Sequence, residues 1–161
     1  MNLNLIKSEL ETAGWKNVGP GSHLDVAFDL VGSRRFTITK WNILVKVLPV
    51  LNRAEAAVWK ANFGELSRRS KSLIWGKCFL LCLVAEDVAP EILGELSGDA
   101  FGLFGVLRLK GGGGNILVAD AKNKQVYGKV PAIPVDVHKF SKSTKEILSR
   151  AIIESTQSSS G

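Results

Sequence analysis

Residues 78–85, CFLLCLVA, form an unbroken apolar run held between Lys77 and Glu86. A run of this kind has no polar face to offer water, so as a strand it must be covered on both sides. A doubly covered strand requires helices above and below its sheet, which directs the chain towards a three-layer α/β plan. Cys78 and Cys82 then share one face, about 13 Å apart by the rise of a strand. That is too far for a disulfide. With no histidine beside them they read as buried thiols.

The flanking sequence supplies the other layers. Leu3, Ile6, Leu10 and Ala13 recur at helical spacing, so residues 3–14 read as an amphipathic helix ended by Gly14. Residues 17–22 read as a Gly/Pro turn. Leu24, Val26, Phe28 and Leu30 alternate with Asp25, Ala27, Asp29 and Val31, the period of a half-buried strand over 24–31. Residues 32–35 are expected to turn the chain, and 36–48 to form one long or two short strands stopped by Pro49. Asn52, with Glu55 three residues on, resembles a capping box opening a helix over about 53–70. Pro90 suits a first helical turn, so 90–97 is a short helix. Residues 101–109 suggest a further strand. Gly111 to Gly114 read as a flexible turn, and 115–119 as a strand pairing back through 124–130. Ser143 and Glu146 form a second capping box for a helix to about Glu154. A chain of 161 residues suits one domain, here 1–154, with 155–161 a flexible low-complexity tail.

The strand pair carries the candidate chemistry. Alternation sets Asp25 and Asp29 on one face, and the apolar strand 43–48 bears the single charge Lys46. Carboxylates beside a lone lysine are the skeleton of a metal-dependent nuclease. The carboxylates hold Mg²⁺ near a scissile phosphate, and the lysine orients water or neutralises charge. Glu9 or Glu11 could add a ligand. The usual second carboxylate, two residues before the lysine, is absent; Leu44 stands there and Asn42 is the nearest polar residue. In the competing reading the two aspartates face solvent or pair with Arg34 or Arg35.

Net charge is +6, unevenly spread. Ten Lys/Arg against two acids give +8 over residues 34–77, while 86–99 hold five acids and no base. A basic face of this kind suits an acidic partner, nucleic acid first. Four tryptophans accompany it; Trp41 and Trp75 could stack on bases but, like Trp15, read more readily as core. Gly111 to Gly114 lack the Lys-Ser/Thr of a phosphate loop. His23 and His138 stand far apart, and no nucleophile elbow is present. The N-terminus has acids where a signal peptide needs a basic start, and no apolar stretch approaches the ~20 residues of a membrane span. The expectation is a cytoplasmic protein without a membrane segment.

Helix–Gly14-Trp15, then AFDLVGSRR (27–35), ILVKVL (43–48), a helix, a buried strand and VYGKVPAI (126–133) together resemble the N-terminal domain of archaeal helix-turn-helix transcriptional regulators. The pattern is also similar to the wider restriction-endonuclease-like, or PD-(D/E)XK, superfamily, which includes Holliday-junction resolvases. It covers roughly residues 3–140. The resemblance implies a restriction-endonuclease-like fold with a central mixed sheet flanked by helices. It matches Asp29 to the first acidic position and Lys46 to the lysine, with Leu44 in place of the second acid. The hairpin at 36–41 is longer than in the regulators.

The expected function is therefore nucleic-acid binding or regulation without catalysis and without a cofactor, with phosphate contacts from Arg34, Arg35, Arg53, Lys60, Arg68, Arg69 and Lys71. One alternative is an active Mg²⁺-dependent nuclease using Asp25, Asp29 and Lys46, with Asp25 and Asp29 as metal ligands. A second is a protein-interaction module, a homodimer among its forms, docking through residues 86–99 and the C-terminal helix.

Overall fold

A computed structural model of the chain describes residues 2–69, 77–97, 107–109, 112–130 and 135–157. Among the described residues four helices and seven strands follow in the order α1 (Leu3–Thr12), β1 (Lys16–His23), β2 (Val26–Phe36), β3 (Thr39–Leu51), α2 (Arg53–Arg69), β4 (Lys77–Val88), α3 (Pro90–Ser97), β5 (Leu107–Leu109), β6 (Gly112–Asp120), β7 (Gln125–Tyr127) and α4 (Val135–Gln157). The strands form one mixed sheet in the order β1-β2-β3-β4-β6-β5, with β7 also on β6. The centre, β3-β4-β6, is parallel and the flanks are antiparallel.

The apolar run lies on β4 at the middle of this sheet. Its residues alternate between two cores. Leu80, Cys82 and Val84 point to the face covered by α1 and α4, through Ile6, Leu10, Phe140 and Leu148. Phe79, Leu81, Leu83 and Ala85 point to the face covered by α2 and α3, through Ala56, Trp59, Phe63 and Ile92. The α/β expectation thus holds, with helices on both faces. The free cysteines share the first face, as the spacing requires. Full burial pushes the Cys82 thiol far above its ordinary range.

Helix caps are in place at two helices. The Asn2 side chain accepts from Asn4 N and Leu5 N at the start of α1, at 3.1 and 3.2 Å. Asn52 accepts from Glu55 N at 3.0 Å at the start of α2, as its spacing requires. Gly14, at φ +91°, carries the chain out of α1. The helix starting at Pro90 and the strand pairing back on residues 118–120 are also found as expected.

Several expectations are corrected. Residues 17–22 are not a turn but most of β1. Among the described residues that strand pairs on one side only, and an edge strand tolerates Pro20. Leu24 and Asp25, both at positive φ, make the turn into β2 instead of beginning the strand. Residues 32–35 continue β2, and the true turn falls at Thr37, φ +52°. Pro49 does not stop β3, which runs to Leu51. Gly112 to Gly114 are strand, and Gly111 lies outside the described residues. A Cβ at Gly114 would sit 3.1 Å from the Phe79 ring, so the glycine permits the close approach. Of the suggested strand 101–109, Leu107–Leu109 forms β5 and 101–106 lie outside the described residues. Ser143 and Glu146 are interior to α4 and cap nothing, because the apolar stripe through Val137, Phe140 and Ile147 starts the helix earlier. Helix α4 also continues to Gln157, into the expected tail, of which 158–161 lie outside the described residues.

Gly128 makes a stability prediction. Its φ is +129°, and a Cβ there would lie 2.7 Å from both Ile116 O and Leu117 Cδ2. Strain of this type costs about 1–3 kcal/mol. Gly128→Ala is expected to lower the urea midpoint accordingly, and an unchanged midpoint would refute the reading.

Candidate functional site: an aspartate–lysine pair and a basic sheet edge

Strand β2 leaves its partner at Asp29. The last ladder pair between β2 and β3 is Leu30 with Val45, so the next rank would set Asp29 opposite Lys46. There the register between β1 and β2 also slips. Phe28 and Val31, three residues apart, face the α2 core while Leu30 faces the other core, the mark of one extra residue in the strand. The slip frees the Asp29 carboxylate from the pleat. Asp29 Oδ2 accepts from Val47 N at 2.8 Å, as a side-chain substitute for the missing ladder carbonyl. The same oxygen is 3.7 Å from Lys46 Nζ, and the two side chains are 32% and 28% exposed. A pair this open contributes at most about 1 kcal/mol as an ion pair.

The remaining nuclease candidates do not gather there. Asp25 sits in the β1–β2 turn, its side chain 91% exposed and 3.5 Å from Arg69. Its turn conformation, not strand alternation, sets its direction, which corrects the expected common face with Asp29. Glu9 is bound by Arg150 at 2.5 Å, and Glu11 lies 4.0 Å from Lys7. Leu44 is fully buried on the α2 face. Among the described residues no group of three or more His, Cys, Asp or Glu side chains is placed to hold a metal ion. The local donor set is thus one carboxylate beside one ammonium. In the nuclease reading Asp29 alone would be a Mg²⁺ ligand, and Lys46 would face a phosphate.

The seven basic candidates divide by what already engages them. Arg34 Nη1 donates to Ala13 O at the end of α1, and its guanidinium lies 5.1 Å from the Phe140 ring centre. This is a structural role. Arg68 grips Glu65 with two bonds, at 2.9 and 2.6 Å. That pairing moves the Glu65 carboxyl down and the Arg68 guanidinium up from their ordinary values. Arg69 reaches Leu24 O and Asp25, tying α2 to the β1–β2 turn. Arg53 lies 4.0 Å from Glu95. Arg35 and Lys60 are exposed and form no ion pair among the described residues. Lys71 and Trp75 lie outside the described residues. Trp41 is fully buried, its Nε1 donating to Asp136 at 3.1 Å, and offers no stacking face.

The sheet register supplies cations that the chain order concealed. Arg35 pairs with Lys40, and Lys40 with Lys77, so three cations stand abreast on β2, β3 and β4. Neighbouring strands are about 4.8 Å apart. Like charges set directly across strands are destabilising. Lys16 joins them around a cleft of ≈460 Å³ lined by Gly14, Lys16, Asn17, Ser33, Arg34, Arg35 and Lys40. An adjoining cavity of ≈200 Å³ shares Asn17 and Ser33 and adds Ser22, His23, Val31, Gly32, Asn42 and Leu44. Among the described residues no carboxylate lines either space. His23, which lines the second, is held below its ordinary pKa by burial first, then by Lys40 and Lys77. Sequence spacing could not have shown this convergence, because it depends on which strands are neighbours.

The opposite edge of the sheet carries the other sign. Glu86 and Asp87 end β4, Asp120 ends β6, and Glu91 and Glu95 follow on α3. Asp87 holds Lys122 at 2.8 Å, and Asp120 accepts from Asn123 N and Nδ2, closing the turn into β7. The twelve residues of β4 separate the two edges by about 36 Å at strand rise.

Among the described residues no helix is long and apolar enough to cross a membrane. No family model, curated protein or solved structure matches the chain.

Proposed function

We propose that this chain is a nucleic-acid-binding or regulatory protein without catalysis, built on a degenerate restriction-endonuclease-like fold of three layers. One observation carries the reading: Arg35, Lys40 and Lys77 stand abreast at the sheet edge, and among the described residues no carboxylate lines the clefts beside them. Such a row repels itself in the free protein and is relieved by a polyanion. The binding surface is therefore the amino edge of the parallel strands, with Lys60 an accessory. It is not the last turn of α2, where Arg68 and Arg69 already hold acids. Helices on both faces of a mixed sheet, and one aspartate–lysine pair lacking a second carboxylate at Leu44, support the degenerate nuclease fold.

The test is binding of fluorescent duplex DNA, single-stranded DNA and RNA at two salt concentrations, with Mg²⁺ present and products run on a denaturing gel. Salt-sensitive binding with intact products is expected. The variant Arg35→Glu/Lys40→Glu should weaken binding and lower the salt slope by about 0.9 for each duplex phosphate it leaves unneutralised. Unchanged affinity in that variant, or no binding at low salt, would overturn the proposal.

A further inference from the structure

The small cavity beside the β1–β2 turn differs in its lining from the basic cleft next to it. Its polar lining comes from four places in the chain: Asn17 on β1, Ser22 and His23 at the turn, Ser33 on β2 and Asn42 on β3. These are hydroxyl, amide and imidazole groups, each able to donate a hydrogen bond. Among the described residues none of these five side chains is engaged in a hydrogen bond or ion pair of its own. Asn17 stands at a register slip of β1 with φ +56°, a conformation asparagine tolerates better than most residues. The charged groups around the cavity are Lys40 on β3, Lys77 on β4, and the Arg69–Asp25 pair that fastens α2 to the turn. Nearby positive charge, unused donors and, among the described residues, no lining carboxylate describe a receptor for a compact anion.

Size narrows the anion. A space of ≈200 Å³ holds about six waters at roughly 30 Å³ each. That accommodates one phosphate group and its ester link. The adjoining ≈460 Å³ cleft shares Asn17 and Ser33 and is ringed by Lys16, Arg35 and Lys40. We infer that the cavity seats a phosphomonoester, the terminal phosphate of a nucleic-acid strand whose next backbone phosphates lie along the basic cleft. The inference rests on the nucleic-acid reading above and adds the end of the strand to it. A monoester presents three unesterified oxygens, against two on an internal diester, so a recess lined by five donor side chains favours the end. His23 donates to the bound phosphate through a ring N–H. Asn17, Ser22, Ser33 and Asn42 supply neutral donors, and Lys40 and Lys77 balance the charge.

The test compares four probes on the full chain: oligonucleotides with a 5′-phosphate, a 3′-phosphate or neither, and inorganic phosphate. Affinity is measured by fluorescence anisotropy or calorimetry, and the His23 ring is followed by NMR titration. One phosphorylated end should bind at least about tenfold more tightly than the unphosphorylated strand, equivalent to about 1.4 kcal/mol. The His23 pKa should rise when inorganic phosphate or that oligonucleotide is added. His23→Gln should erase the preference for the phosphorylated end while leaving salt-sensitive binding of the unphosphorylated strand. If His23→Gln fails to fold, the wild-type NMR titration decides. Equal affinity for all three oligonucleotides, with no change at His23, would overturn the seat and leave the nucleic-acid reading standing. A His23 response to inorganic phosphate without binding of any oligonucleotide would keep the phosphate site, assign it to a free small phosphate, and overturn the nucleic-acid reading instead.

Discussion

Replacing Phe140 by alanine is expected to destabilise the protein by about 3–5 kcal/mol, the usual cost of emptying a large aromatic site in a packed core. The ring is 2% exposed. Its centre lies 5.5 Å from Trp15, 5.9 Å from Phe36 and 5.2 Å from Trp41, so it joins α4 to the segment after α1, to β2 and to β3. It also carries the Arg34 guanidinium, which bonds the end of α1. The loss would consume a large share of the roughly 5–15 kcal/mol that holds a typical domain together. Urea unfolding followed by tryptophan fluorescence measures it. Phe140→Leu should recover part of the loss, since it refills volume without restoring the ring stacking. A shift below about 1 kcal/mol for the alanine variant would show that the ring does not join these elements.

The second large effect falls on Asp29, where two substitutions separate structure from chemistry. Asp29→Ala leaves the Val47 N–H without its acceptor, a loss of about 1–3 kcal/mol. Asp29→Asn keeps an oxygen in nearly the same place and gives up only the charge beside Lys46, so its cost should be smaller. If the site is purely structural, the two variants differ in stability, and neither they nor the wild type cleave nucleic acid in Mg²⁺. The aspartate–lysine geometry, 3.7 Å apart on a register slip, is what keeps the nuclease reading in play. Cleavage by the wild type that disappears in a folded Asp29→Asn protein would make Asp29 a working ligand and end the non-catalytic proposal.

Where the sequence was legible, local signals and burial agreed. The run 78–85 could only be a covered strand, and it became β4. Asn52 and Pro90 mark helix starts by chemistry that acts within one turn. Asp29 and Lys46 could be placed together because a hairpin joins their strands. Elsewhere local composition misled. Gly19, Pro20 and Gly21 look like a turn, yet an edge strand tolerates them since one side of it needs no partner. Gly112 to Gly114 look flexible, yet they are strand, and Gly114 fits against Phe79 only because it lacks a side chain. Ser143 and Glu146 carry a capping pattern that a longer apolar stripe overrides. The basic residues show the limit of chain order. Arg68 and Arg69 are prominent in the chain but engaged in the fold, whereas Lys40 and Lys77 stand side by side only through a parallel pairing between residues 37 positions apart. No periodicity encodes that adjacency.

The two edges of the sheet, basic where β3 and β4 begin and acidic where they end, make the molecule a strong electric dipole on top of its net charge. Lys40 and Lys77 stand at one pole, Glu86, Asp87 and Asp120 at the other. In the field of any polyanion such a body feels a torque as well as an attraction, and it turns its positive pole forward before contact. Fewer encounters are then wasted on the wrong orientation, and association outpaces what the net charge would give. The advantage is fragile. At physiological salt the screening length is about 8 Å, well short of the distance between the poles, so the alignment acts only over the last layers of water.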